Sequence, residues 1–233
     1  MLVTVEEFIE AFRSDVYDRA DIDDDGNARD TLWSDADILR YLNKAAARWA
    51  SDTLALRRRF VLNFAADQPT AAFPYDLILD ELAMSFSVPG LGRRRSLTQF
   101  DMDEGLWQDD YGVRVMVEPD LEASGMPTHY TRDYDDRFVR LYPIPHIAGV
   151  LEAQAIVLPQ QLYAGMPLPA SNQLDLDLIM MWVKKEAYAK QDADTFDLAR
   201  SQAFEAEYMR YMPIRKAEID RNRRNNGMMK SAL

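Results

Sequence analysis

Residues 49–64 read WASDTLALRRRFVLNF, and the hydrophobic period changes within them. On the N-terminal side, Ile38, Leu42, Ala45, Ala46 and Trp49 recur every three or four residues and make one stripe of a helix. On the C-terminal side, Phe60, Leu62 and Phe64 alternate with polar or small residues, as in a half-buried strand. A helical segment therefore gives way to a β-rich one near Arg58.

Working outward to the N-terminus, the helix before this change opens at Ser34. It carries Asp35 and Asp37 in its first turn, where the helix dipole favours acids, and it should run to about Leu56. The stretch ADIDDDGNARDT (20–31) ahead of it is acidic and turn-rich and reads as an exposed loop. Earlier still, Thr4 and Glu7 have the capping-box spacing, and Phe8, Ile9, Phe12 and Val16 follow at helical intervals, which predicts a helix over 4–18.

Toward the C-terminus the pattern stays short and alternating to about Ala170. Leu82, Met84, Phe86 and Val88 read as a strand, as do Val113, Val115 and Val117, then Phe138, Val139 and Leu141, then Val150 to Leu158. Nine of the eleven prolines fall between Pro69 and Pro167, as expected between short strands, because each removes a ladder donor. Helix returns at about Asn172, with Leu174, Leu178, Met181, Trp182 and Tyr188 on one face. After a turn at Asp192–Asp194, Phe196, Ala199, Ala203, Phe204 and Tyr208 mark an antiparallel partner helix that Pro213 should end or bend.

The expected fold class is α+β. Residues 1–57 and 171–212 form a four-helix bundle, 58–170 an inserted small antiparallel β-sandwich or barrel, and 213–233 an extended basic C-terminal arm. In that arm Arg215, Lys216, Arg221, Arg223, Arg224 and Lys230 stand against Glu218 and Asp220, a charge of +4 that leaves −16 for the rest. Ile214, Ile219, Met228, Met229 and Leu233 are spaced as anchors along it.

Composition narrows the chemistry. The chain has 233 residues, 48% of them apolar, and a net charge of −12, which disfavours a free nucleic-acid binder. It has no cysteine, so thiolate metal sites, disulfides and Cys nucleophiles are excluded. No run reaches the length of a membrane span, and the opening MLVTVEEFIEAF lacks the basic start of a signal peptide. There is no glycine-rich phosphate loop and no G-x-S-x-G elbow. His129 and His146 are the only histidines and read as structural. Asp21, Asp23 and Asp25 with Gly26 match the first half of a calcium loop, but Arg29 and Leu32 occupy its ninth and twelfth positions, so they are a weak metal candidate. The two tight basic runs, Arg57-Arg58-Arg59 and Arg93-Arg94-Arg95, suit contact with phosphate or with an acidic neighbouring subunit, or are solvated loops. No cofactor and no catalytic set is implied.

Three stretches carry a resemblance. Trp33-Ser-Asp35 with Ile38-Leu-Arg-Tyr41-Leu-Asn43-Lys-Ala45 is similar to the opening helix motif of phage head-to-tail adaptor (connector) proteins. Gly125-Met-Pro127-Thr-His-Tyr130, followed by Phe138-Val-Arg140-Leu-Tyr-Pro143-Ile-Pro145, resembles a strand pair of the same family. Trp182-Val-Lys-Lys-Glu186-Ala-Tyr188, with Asp192, Asp194, Thr195 and Ala199, resembles its closing helical hairpin. The resemblance spans most of 31–210 and implies a non-enzymatic virion protein made in the host cytoplasm. Such a protein forms a ring, commonly of twelve copies, beneath the portal protein, beside other tail proteins such as nozzle and fibres. DNA would pass through its lumen without specific binding. Twelve copies at −12 would carry about −144, a charge that repels DNA rather than gripping it. The family's C-terminal arm commonly reaches along a neighbour or the portal, which makes 213–233 the expected docking element. Other readings are a gatekeeper or tail-tube ring, a calcium-responsive binding module, and a small hydrolase using a His-Asp pair.

Overall fold

The structure, a computed structural model, describes residues 3–18, 31–73, 78–92, 94–99, 107–108, 114–115, 123–132, 138–191 and 195–230. The chain divides into two compact units, one of residues 1–56 with 158–233 and one of residues 57–157.

The first unit holds the helices α1 (Val5–Asp15), α2 (Asp35–Thr53), α3 (Gln173–Tyr188) and α4 (Leu198–Lys230). Each start follows from local chemistry. Thr4 caps α1 in a complete capping box with Glu7. Ser34 caps α2 through the amide of Asp37, and Asn172 caps α3 through that of Asp175. The apolar stripes then meet in one core containing Phe8, Phe12, Trp33, Leu42, Trp49, Leu178, Trp182 and Tyr208. Trp33 is its aromatic centre, edge-on to Phe12 at 5.6 Å and to Tyr188 at 5.4 Å, with its indole N–H donating to the Ala187 carbonyl at 3.1 Å.

Residues 158–170, expected in the β block, belong to this helical unit. Leu162 and Leu168 are buried in its core. Asn43 accepts from the Leu162 amide at 2.7 Å and donates to its carbonyl at 3.1 Å, and Thr4 bridges to Pro167. The segment is thus held by the Asn43 side chain and by backbone pairing to the residues that cap α1, neither of which shows in hydrophobic periodicity.

The second unit contains β1 (Arg57–Phe64), β2 (Thr70–Ala72), β3 (Ile78–Ser87), β4 (Arg94–Gln99), β5 (Trp107–Gln108), β6 (Arg114–Val115), β7 (Ser124–Gly125), β8 (His129–Arg132), β9 (Phe138–Tyr142), β10 (Ile144–Pro145) and β11 (Gly149–Val157). Seven of these make one sheet in the order β1-β11-β3-β4-β8-β9-β2, antiparallel except where β4 meets β8, and the edge strands β1 and β2 approach each other, so the sheet is nearly closed and barrel-like. The strand expected over 113–117 appears as β6 alone, with Val113 and Val117 outside the described residues. The chain enters on β1 and leaves on β11, and these strands are paired, with Arg57 opposite Ile156.

Alternation sorts the two faces of the sheet. Phe60, Leu62, Phe64, Met84, Phe86, Leu151 and Ala153 are buried inside. Gly149 permits the tightest contact in this core: a Cβ there would collide with the Phe86 ring and lie 2.9 Å from the Ser87 carbonyl oxygen. Gly149→Ala should therefore destabilise the sheet by about 1–3 kcal/mol, the usual penalty for overpacking. Chemical denaturation followed by tryptophan-independent far-UV signal checks it, and a loss under about 0.5 kcal/mol would mean the strand pair yields freely.

Candidate functional site

The basic C-terminal segment, expected as an extended arm, is helical. α4 runs from Leu198 to Lys230 with Pro213 inside it. The reason lies in one buried charge. Asp175, near the start of α3, has its side chain fully covered. Arg215 meets it with a two-pronged ion pair, Nε to Oδ1 at 2.8 Å and Nη2 to Oδ2 at 2.9 Å. The indole of Trp49 on α2 donates to Oδ1 at 3.0 Å, and Ser171 gives Oδ2 its hydroxyl at 2.7 Å and its amide at 3.1 Å. Glu218 takes the remaining Arg215 edge at 2.8 Å.

This cluster ties α2, the α3 start and the distal part of α4 to one carboxylate. A proline inside a helix costs about 3 kcal/mol. Leaving a buried carboxylate without its counter-ion costs about 3–5 kcal/mol. Arg215 reaches Asp175 by continuing the helix past Pro213, and Ile219 is buried one turn further on. The proximal half of α4 has its own ties: Tyr208 donates to Asp52 at 3.0 Å, and Arg48 pairs with the same carboxylate at 2.7 Å. Burial, then the Asp52 charge, pushes the Tyr208 hydroxyl well above its ordinary pKa.

The docking residues expected in 213–233 divide accordingly. Arg215 and Ile219 are buried and committed inside the unit, so neither is a free docking group. Ile214, Lys216 and Arg221 are exposed. Arg223, Arg224 and Lys230 lie in α4 with side chains outside the description. Phase shows what the residue types concealed: Ser201, Phe204, Tyr208, Arg215 and Ile219 share one face across the proline, and Asp175 shares the apolar face of α3 with Leu178, Ile179 and Trp182. A lone acid on one apolar helix face and a lone arginine on another are a signal for such a pair.

The other candidates fall elsewhere. Asp21, Asp23, Asp25 and Arg93 lie outside the described residues. Arg57, Arg58 and Arg59 are exposed on β1, and Arg94 and Arg95 on β4. Arg59 and Arg94 both pair with Glu152 of β11, Arg94 at 3.1 Å. His146 is exposed. His129, on β8, lies 2.7 Å from the Thr128 hydroxyl, and burial and the Arg95 charge lower its pKa. A charge cluster that residue types alone did not reveal joins Arg13, Asp18 and the start of α2. Asp18 accepts from the amides of Leu32 at 2.6 Å and Trp33 at 3.3 Å, while Arg13 pairs with Asp18 at 2.8 Å.

The Asp175 cluster has a pH signature. Burial alone would raise its pKa, but the hydrogen bonds from Arg215 and Ser171 and the guanidinium charge outweigh burial and hold the carboxyl below its ordinary 3.8. A depressed native pKa gives stability that is complete above the unfolded value and is lost as pH falls through the native one. Thermal unfolding of wild type should therefore lose midpoint steeply below about pH 4, and Arg215→Met should flatten that loss while costing about 3–5 kcal/mol at pH 7. Parallel acid profiles for the two proteins would contradict this.

A family model described as SU10 adaptor protein matches residues 3–230. No curated protein matches the chain significantly. Among solved structures, a chain from the neck of an empty GTA particle computed with C6 symmetry is 15% identical over 84% of this chain and 87% of that one, with a TM-score of 0.24. The match to the family model extends through both units and the whole of α4, and the chain belongs to the SU10 adaptor protein family.

Proposed function

We propose that this adaptor joins a phage capsid vertex to its tail as a ring of identical copies, commonly twelve, seated beneath the portal protein. The observation that carries the reading is the family match over residues 3–230, which takes in every helix and strand of the fold. The architecture suits the role. A helical unit with one continuous core suits side-by-side packing of copies, and the β unit is entered and left through paired strands. In this reading the protein is structural, DNA passes through the lumen unbound, and further tail proteins attach below.

The portal-facing element in this proposal is the outer face of α4. Ile214, Lys216 and Arg221 are exposed on either side of Arg215 and are apolar or basic within an acidic chain, with the exposed Glu218 already paired to Arg215. Such a face suits an acidic partner surface, with salt weakening its rim contacts. The distal part of α4 docks as a preformed helix, so little ordering entropy is lost on binding, unlike an arm that folds on its partner.

Two variants separate docking from folding. Lys216→Glu with Arg221→Glu leaves the Arg215–Asp175 pair intact and should keep the thermal midpoint while reducing incorporation into portal-bearing particles at least tenfold. Truncation after Met212 removes Arg215 and strands Asp175, and should lower the midpoint as well as block assembly. Normal incorporation of the double variant, counted by mass of purified particles, would move the docking surface elsewhere.

A further inference from the structure

The outer face of the sheet unit carries a small positive patch. Three residues define it: Arg59 of β1, Glu152 of β11 and Arg94 of β4. Strand register puts them on the outer face, where Val61, Glu152, Ser85 and Ser96 form one row and Asn63, Val150, Ser87 and Arg94 the next. Both guanidiniums converge on the one carboxylate, and Arg94 Nε also donates to Ser85 Oγ at 2.8 Å. The Glu152 side chain is 26% exposed and the Arg59 and Arg94 side chains 59% and 60%, so two largely exposed cations stand against one mostly covered acid. A guanidinium has five N–H donors in a planar fork, more than Glu152 and Ser85 take up, and a forked donor pair matches a second carboxylate. Val61, 58% exposed in the same row, adds apolar surface beside it. The patch centres on Arg59 and Arg94, which share Glu152.

The complement is present in the same sequence. Residues 20–31 carry Asp21, Asp23, Asp24, Asp25 and Asp30 against Arg29. The residues that flank this segment are joined in the helical unit, Asp18 accepting from the amides of Leu32 and Trp33 and pairing with Arg13. Beside Asp18 stands Tyr17, 94% exposed with φ at 57°. A tyrosine in the left-handed region is uncommon and costs on the order of 1 kcal/mol, and a fully exposed ring is the residue type that anchors protein interfaces.

We propose that the arginine face of one copy's sheet unit receives the acidic segment 20–31 of the adjacent copy. The contact is heterologous, with different patches on the two partners, which is the arrangement that closes into a ring. It offsets at the subunit boundary the repulsion between chains of −12 each. The inference rests on the ring reading above and assigns the surfaces that meet in it.

The absence of cysteine allows a direct test. One full-length chain carries Asn27→Cys and another Ser96→Cys, Ser96 being exposed on the outer face beside Arg94. The two are co-assembled with portal-bearing particles and oxidised. The expected result is a covalent heterodimer at least tenfold more abundant than dimer from either chain alone, and reduced at least tenfold when the Ser96→Cys chain also carries Arg59→Gln and Arg94→Gln. Incorporation of both chains with no heterodimer would overturn the proposal while leaving the adaptor reading in place, whereas failure of wild type to enter particles would strike the adaptor reading itself. A disulfide formed only within a chain bearing both cysteines would also overturn it, by assigning the contact to a single copy. Duplex-DNA binding by wild type that is abolished by Arg59→Gln, with cross-linking unchanged, would reassign the face to phosphate.

Discussion

The helical unit depends on one buried carboxylate. Asp175 is covered completely, and it is tolerable there because Arg215, Trp49 and Ser171 supply donors to both of its oxygens. Those donors come from three places in the chain, so satisfying a single charge determines how α2, α3 and α4 are joined. The same requirement carries α4 through Pro213 and makes the basic segment part of that helix. A second, smaller charge cluster at Asp18 does similar work for the entry to α2, bringing the two ends of an acidic segment together.

Local chemistry was readable in the sequence wherever the decisive partners are a few residues apart. The Thr4–Glu7 box and the Ser34 and Asn172 caps place helix starts to within a residue, and alternation at Phe60, Leu62 and Phe64 finds the first strand. What was not readable depends on distant partners. Pro213 reads locally as a residue that ends or bends the helix, and α4 continues past it because Asp175, which lies far back in the chain, offsets its cost. Residues 158–170 looked like part of the β block because they hold prolines and short apolar runs, whereas Asn43 and Thr4 fix them to the helices. Basic residues in the tail looked uniform by type. Helical phase separates Arg215, which is internal, from Lys216 and Arg221, which are exposed.

The consequence for an adaptor is mechanical. A flexible arm gains affinity by folding on its partner and loses part of that gain to ordering. A helix already seated on its own bundle presents a fixed surface, so its partner must match it in shape and charge. The sheet unit provides a second fixed surface in the Arg59–Glu152–Arg94 group. In both places a paired charge inside or beside the fold sets the geometry and leaves neighbouring charges exposed.

That the distal part of α4 is seated before assembly is the claim on which this account turns, and amide hydrogen exchange on the isolated protein measures it most directly. Amides of residues 215–220 should exchange with protection comparable to the amides of 204–210, and should lose it selectively when Asp175 is replaced by Asn. Exchange of 215–220 at the rate of an unstructured peptide in the wild-type protein would contradict the account.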